Sequence, residues 1–355
     1  MRGLYIHIPF CLRKCPYCDF NSYAGAQRYE NEYFAALQKE AADFAGESID
    51  TVYIGGGTPS ITKAYNICGF IDFLRGNFNI SPNAEITIEA NPATLTADKL
   101  KAYRAAGINR ISIGVQSLHD DILKTLGRLH NSAEAAEAVM LAAECGFKNI
   151  SCDFMFALPG QTAEMLTADL KQALRLPTTH ISCYGLKVEK GTPFYESGIQ
   201  PAEDEEYEKM YASATEVLES AGFNRYEISN FARAGAQSRH NLKYWHCEEY
   251  IGLGAGAHSY VNGIRYSNVC SIEKYINGGG HENIETLTEH DRFVENLIMG
   301  MRLSGGVRET VVQNLGNGER LEYFIKTGFV QRKGNNIAFT QKGINVSNYI
   351  LSELI

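Results

Sequence analysis

Over the first 190 positions, short dense apolar runs alternate with longer stretches in which apolar residues recur every three or four places. The runs LYIHIP (4–9), TVYIGG (51–56), AEITIEA (84–90), RISIGVQ (110–116), NISCDFMFALP (149–159) and HISCYGLKV (180–188) predict six strands. Between them, NEYFAALQKEAADFA (31–45), YNICGFIDFLRG (65–76), TADKLKAYRAAG (96–107), SAEAAEAVMLAAECG (132–146) and TAEMLTADLKQALRL (162–176) carry helical spacing. Thr96 is a plausible N-cap of the third helix and Gly107 its stop. Strands this apolar, each followed by a helix, predict a parallel sheet covered by helices. A doubly wound sheet satisfies the same pattern. A cysteine-bearing loop after strand one and polar signals after strands two to five favour an open six-unit (β/α) barrel, with its site at the strands' C-terminal ends.

The rhythm changes beyond residue 200. A long helix, EDEEYEKMYASATEVLESAG (203–222), leads to FNRYEISNFA (223–232), read as strand plus turn, then to HNLKYW (240–245) and the glycine-dense IGLGAGAHSY (251–260). The last stretch reads helix, helix, a hairpin around Gly334-Asn335-Asn336, and a final helix. The expected organisation is therefore α/β: a partial TIM-type barrel over 1–200, a connecting α/β segment over 201–284, and an α+β, winged-helix-like domain over 285–355. That last piece is expected to act as a lid or a docking module.

Composition narrows the function. The 355 residues are 45% hydrophobic and 21% charged, ordinary for a globular protein with a sizeable core. A net charge of −8 with no basic stripe argues against a nucleic-acid partner. No apolar run approaches the roughly 18 residues that span a bilayer, and nothing in the strand-like opening LYIHIPF resembles a secretory signal, so none is expected. Nine cysteines, an odd number and mostly isolated, suggest reduced thiols in the cytoplasm.

Cys11, Cys15 and Cys18, in HIPFCLRKCPYCDF, carry the strongest chemical signal. Three thiolates on one loop suit a [4Fe–4S] cube with one iron left open. S-adenosylmethionine (SAM) suits that iron, because its amino and carboxylate groups chelate and its sulfonium accepts an electron. A zinc site is the rival, although structural zinc normally takes four ligands. Chance core cysteines are another. After strand two, Gly55-Gly56-Gly57-Thr58-Pro59 lets a ligand approach the backbone closely. An ordinary tight turn is the alternative. Glu89 suits a ribose diol, with an exposed strand-end carboxylate as the alternative, Gln116 ends strand four, and Arg128 suits a carboxylate clamp, with a surface ion pair as the alternative. Asp153, inside an apolar run, needs a partner.

The spacing of the cysteines, with Tyr17 before the last of them, resembles the radical SAM signature. YIHIPFC, CPYCDFNS, YIGGGTPS, IEANP, GVQS, DFMFALPGQT and RHNLKYW resemble its HemN/HemW branch, the oxygen-independent coproporphyrinogen III oxidases and their heme-chaperone relatives. The resemblance covers essentially the whole chain. It implies Cys11, Cys15 and Cys18 as cluster ligands, with Tyr5, Tyr17, Gly56, Gly57, Thr58, Glu89, Gln116, Arg128 and Asp153 around SAM. The oxidases carry a further cysteine where this chain has Phe20, and an N-terminal arm ahead of the first strand. Their absence here points to the chaperone side.

The segment His240-Asn241-Leu242-Lys243-Tyr244-Trp245 matches the HNxxYW motif of those chaperones, and Trp245 is the only tryptophan. A neutral imidazole ligates heme iron and a Tyr/Trp pair offers a porphyrin face. The alternative is a loop whose rings fill a core gap, with His240 bonded to the backbone. His258 and His7 are rival histidines. The expected function is a chaperone that binds heme, a [4Fe–4S] cluster and SAM, and delivers heme to a membrane-bound respiratory hemoprotein. A cellular one-electron reductant and a homodimer are the further expected partners. The alternatives are a coproporphyrinogen III oxidase and a radical SAM enzyme for another substrate.

Overall fold

A computed structural model describes all residues 1–355. Six strands, β1 (Arg2–Ile8), β2 (Ser48–Gly56), β3 (Asn79–Ala90), β4 (Arg110–Gln116), β5 (Asn149–Phe156) and β6 (His180–Gly185), lie parallel and adjacent in chain order. Helices α1 (Glu30–Ala42), α2 (Ala64–Asn77), α3 (Ala97–Ala105), α4 (Ser132–Glu144) and α5 (Ala163–Ala173) follow the first five strands. Thr96 caps α3 by accepting from the Lys99 amide.

The segment expected to connect two domains instead extends the same sheet at both edges. Helix α6 (Asp204–Ser220) leads to β7 (Asn224–Glu227) and β8 (Asn230–Ala232), an antiparallel pair added beyond β6. The expected strand and turn at 223–232 is therefore two strands. On the opposite edge, β9 (Tyr250–Leu253) runs parallel to β1, followed outward by β10 (His258–Val261), β11 (Ile264–Asn268) and β12 (His281–Thr286). The twelve-stranded sheet has two edges and does not close.

Strand alternation decides what this sheet encloses. Leu4, Ile6 and Ile8 on β1, Ile86 and Ile88 on β3, Ile111, Ile113 and Val115 on β4, and Ile150, Cys152 and Phe154 on β5 all join one 54-residue core under the helices. The residues between them point the other way: Tyr5 and His7, Thr87 and Glu89, Arg110, Ser112 and Gln116, Ser151 and Asp153, Ser182 and Tyr184. The outer face is thus oily and the inner face polar. A packed barrel would fill that interior with branched side chains; this one lines a chamber.

The C-terminal part has its own core. Leu297, Met301, Val312, Leu321, Phe324, Ile337 and Leu354 belong to a separate ten-residue cluster. It is built by α8 (Glu289–Gly300), short helices and a three-stranded sheet whose hairpin, Val330–Lys333 and Asn336–Phe339, turns at Gly334-Asn335. No helix is long and apolar enough to cross a membrane.

HNLKYW, weighed as a loop, lies in a helix, α7 (Arg239–Trp245). Two acceptors start it. The Ser238 hydroxyl accepts from the Asn241 amide at 3.4 Å, and the Glu85 carboxylate accepts from the Arg239 and His240 amides, each at 3.1 Å. A carboxylate from a distant strand thus serves amides that a helix start leaves unpaired.

Candidate functional site

The cysteine loop leaves β1 and crosses the C-terminal end of the polar chamber. Its path is fixed by hydrogen bonds to its own and distant backbone. Phe10–Cys11 pairs with Tyr23–Ala24, Gln27 Nε2 donates to the Cys11 carbonyl at 2.8 Å, and Lys14 Nζ donates to the Phe20 carbonyl. Asn21 Nδ2 donates to the Ala255 and Cys270 carbonyls at 2.9 and 3.0 Å, tying the loop to the β9–β10 side. Cys11, Cys15 and Cys18 are free thiols, and burial pushes the Cys11 and Cys18 thiols up.

The glycines of GGGTP serve this loop. A Cβ on Gly57 would meet the Phe10 carbonyl at 2.7 Å and Cys11 Sγ at 3.1 Å, and one on Gly56 would meet the His7 ring at 2.6 Å. Gly56 also has φ of +113°, a conformation side chains disfavour. The run therefore lets the chain's own loop and His7 seat against β2, in addition to any room it leaves a ligand. Thr58 Oγ1 sits 3.6 Å from Cys11 Sγ.

A cavity of about 320 Å³ lies beneath the loop. It is lined by all three cysteines together with Tyr17, Gly56, Gly57, Thr58, Glu89, Gln116, Arg128 and Asp153. Residues scattered over 140 positions of sequence thus meet at one chamber. Arg128 bridges its wall, with Nη2 donating to the Gly114 carbonyl at 2.8 Å and Nη1 3.7 Å from Cys15 Sγ, while its Nε is buried without a partner. Gln116 holds φ of +69°, a strained conformation for a non-glycine residue, and accepts from the Tyr184 hydroxyl at 3.1 Å.

Two carboxylates face the chamber in different ways. Glu89 accepts from the Tyr53 hydroxyl at 2.8 Å and the Gly56 amide at 3.1 Å. Burial nevertheless raises its pKa to about 7, because those bonds and Arg110 only partly offset desolvation, and Asp153 adds repulsion. Asp153 lies deeper, accepting from Ser112 at 3.0 Å and Ser151 at 3.2 Å, and burial raises it too. Arg110, at the chamber floor, is 2% exposed and its Nε has no partner. The sequence reading missed it. Its signal was the strict alternation of RISIGVQ, which puts Arg110 on the same face as Gln116.

Tyr5 does not line this chamber. Its hydroxyl lies 3.0 Å from His7 Nδ1, and it borders a second, wider cavity of about 770 Å³. Tyr244, Trp245, Tyr250 and Tyr260 form an aromatic lining there, and Ile298 and Met299 of α8 line the same cavity. The two cavities share Phe20, Gly56 and Glu89 as wall.

The HNxxYW residues divide between these spaces. Tyr244 and Trp245 line the wide cavity, and Asn241 lines the chamber. His240 reaches neither. It is 0% exposed, with Nδ1 2.9 Å from the Thr51 hydroxyl and Nε2 2.8 Å from the Tyr244 hydroxyl. Burial, with Lys243 and Arg110 nearby, holds its pKa at about 3, so it is a neutral core imidazole. The expectation of His240 as a heme ligand is corrected on this geometry: both nitrogens are engaged and the ring lines neither the chamber nor the wide cavity.

The residues present fit an iron–sulfur cluster. No three His, Cys, Asp or Glu side chains converge closely enough to hold one metal ion, while ligands of a multi-iron cube stand farther apart. Three thiols without imidazole or carboxylate are a donor set for iron–sulfur chemistry, and the unpartnered Arg128 Nε at the wall suits an anionic ligand.

Comparison with known proteins agrees. The profile of the radical SAM superfamily matches residues 5–173, and that superfamily implies a [4Fe–4S] cluster and SAM. The chain is 38% identical over 321 residues to the heme chaperone HemW of Bacillus subtilis (strain 168), covering 86% of this chain and 85% of that protein. It is 33% identical over 366 residues to HemW of Lactococcus lactis subsp. lactis (strain IL1403), covering 99% and 96%. The solved structure of coproporphyrinogen III oxidase (HemN) from Escherichia coli shares the fold, with a TM-score of 0.86 and 23% identity over 99% of this chain and 89% of that one. With a relative this similar over this much of both chains, the protein belongs to the HemW heme chaperone family of the radical SAM superfamily.

Proposed function

We propose that the protein carries heme in the wide cavity, beside a [4Fe–4S] cluster and SAM, and hands it to an acceptor hemoprotein. Cys11, Cys15 and Cys18 hold the cluster. Arg128 clamps the SAM carboxylate, Glu89 accepts from the ribose, and Gly56, Gly57, Thr58, Gln116, Tyr17 and Asp153 complete the surround. The bound pair supplies one-electron chemistry at the open iron, fed by a cellular reductant. Tyr5, Tyr244 and Trp245 offer aromatic faces to the porphyrin. The acceptor is a membrane-bound respiratory hemoprotein, the site of action is the cytoplasm, and a homodimer is the working assembly.

One observation carries this reading. An apolar, aromatic cavity of about 770 Å³, within the roughly 300–1,000 Å³ typical of ligand sites, shares a wall with the chamber under the cysteine loop. That wall also suits hydrogen abstraction from a porphyrinogen, the oxidase alternative.

One experiment separates the two readings. Anaerobically prepared protein is titrated with heme, and separately incubated with coproporphyrinogen III, SAM and a reductant. The expected result is a one-to-one complex with a shifted Soret band, lost in Ile298→Trp, which fills the cavity, and no protoporphyrinogen. Protoporphyrinogen formed at enzymatic rates, or heme binding unchanged by Ile298→Trp, contradicts the proposal.

A further inference from the structure

We infer that His258 is the side chain that ligates the iron of a porphyrin held in the wide cavity. This rests on the heme-carrying reading and names the bond that it leaves open. Besides phenol and carboxylate oxygens, the cavity presents a small set of nitrogen and sulfur donors for iron: the imidazoles of His7 and His258, the thiols of Cys247 and Cys270, and the thioether of Met299.

Three of these are disfavoured by their surroundings. His7 is 6% exposed and both its nitrogens are engaged, Nδ1 with the Tyr5 hydroxyl and Nε2 with the Asn21 carbonyl at 2.8 Å. Turning it out would break the contacts that seat Gly56 and the cysteine loop. The Cys247 thiol is pushed up to about 11 by burial, so it is protonated at neutral pH and a poor ligand. Met299 offers a thioether, a soft donor that binds ferric heme weakly.

His258 differs. It is exposed on the cavity surface, its imidazole free of protein partners. Its backbone is held in β10, opposite Ser267 of β11, and its carbonyl packs against Gly252, where a Cβ would come within 1.9 Å. A free ring on a fixed strand is what an axial ligand requires: the nitrogen is available and the Cα does not move. Neutral imidazole also binds iron without first losing a proton. His7, which packs against Gly56 of the wall shared with the cysteine-loop chamber, lines the same cavity. Cys270, also exposed, is the competing donor; as a thiolate it would give a different spectrum.

The test is a ferric-heme titration of the anaerobically prepared full chain, its His258→Ala and Cys270→Ala variants, and His258→Ala with added imidazole. Because His258 is exposed, its alanine variant keeps the wild-type melting temperature. The expected result is a histidine-type Soret spectrum for wild type and Cys270→Ala. In His258→Ala the affinity falls at least tenfold and that spectrum is lost, and imidazole restores it. An unchanged spectrum and affinity in His258→Ala, with wild type still binding, overturns the inference and leaves the heme-carrying reading standing. Loss in Cys270→Ala instead also overturns it. Failure of wild type to bind heme removes both.

Discussion

At the scale of single residues, Glu89 carries the clearest electrostatic signature. Its folded-state pKa of about 7 lies above the unfolded value. Between those values the native state binds a proton that the unfolded chain has released, so cofactor-free protein loses stability as pH rises from about 4.5 to 7. The shift corresponds to roughly 1–3 kcal/mol, the lower end applying because the carboxylate faces a cavity that admits water. Chemical denaturation of wild type and Glu89→Gln at pH 5 and pH 8 checks this. The wild-type loss should exceed that of the variant by about this amount, and parallel pH profiles would contradict it. A ligand hydroxyl donating to Glu89 favours the ionised form, so bound SAM would reverse part of the loss.

At the scale of elements, the cysteine loop depends on contacts far from it in sequence. Asn21 ties it to the carbonyls of Ala255 and Cys270, more than 230 positions away. Removing two hydrogen bonds costs about 1–2 kcal/mol, concentrated in the loop. In Asn21→Ala, hydrogen exchange across residues 11–22 should accelerate at least several-fold while the strands stay protected. Unchanged exchange would show that the loop is held by other means.

This dependence also marks what the sequence can reveal. The six strands, five of their helices and the C-terminal hairpin are legible because each is a local pattern of apolar spacing. The chamber residues are legible where motif and strand end coincide, as at Gly56, Glu89 and Gln116. Three features were not. The polar lumen is encoded in the alternation of RISIGVQ and ITIEA, but alternation alone does not say whether the polar face meets solvent or an enclosed chamber. Helix α7 is only seven residues long and is started by Glu85, a carboxylate brought by a different strand. The strand that holds His258, a residue already named as a rival ligand, lies in a glycine-rich run and exists only through pairing with β9 and β11.

At the scale of the whole molecule, one sheet separates two environments. Its helix-covered face holds the main core, and its other face encloses the chamber and borders the wide cavity. The C-terminal unit has a separate core, yet α8 gives Leu297 to that core and Ile298 and Met299 to the cavity. One helix thereby couples the cavity wall to the small domain, and movement of that domain would change access to the cavity.

The proposed arrangement is spatially explicit: heme iron would lie in the aromatic cavity, one wall away from the cluster. An anomalous difference map at the iron edge tests it directly, using crystals of the cluster-loaded protein grown with heme. Two separate features are expected, one among Cys11, Cys15 and Cys18 and a second between His258 and the Tyr244–Trp245 face. A heme iron outside that cavity, or a map with iron only at the cysteine loop, would contradict it.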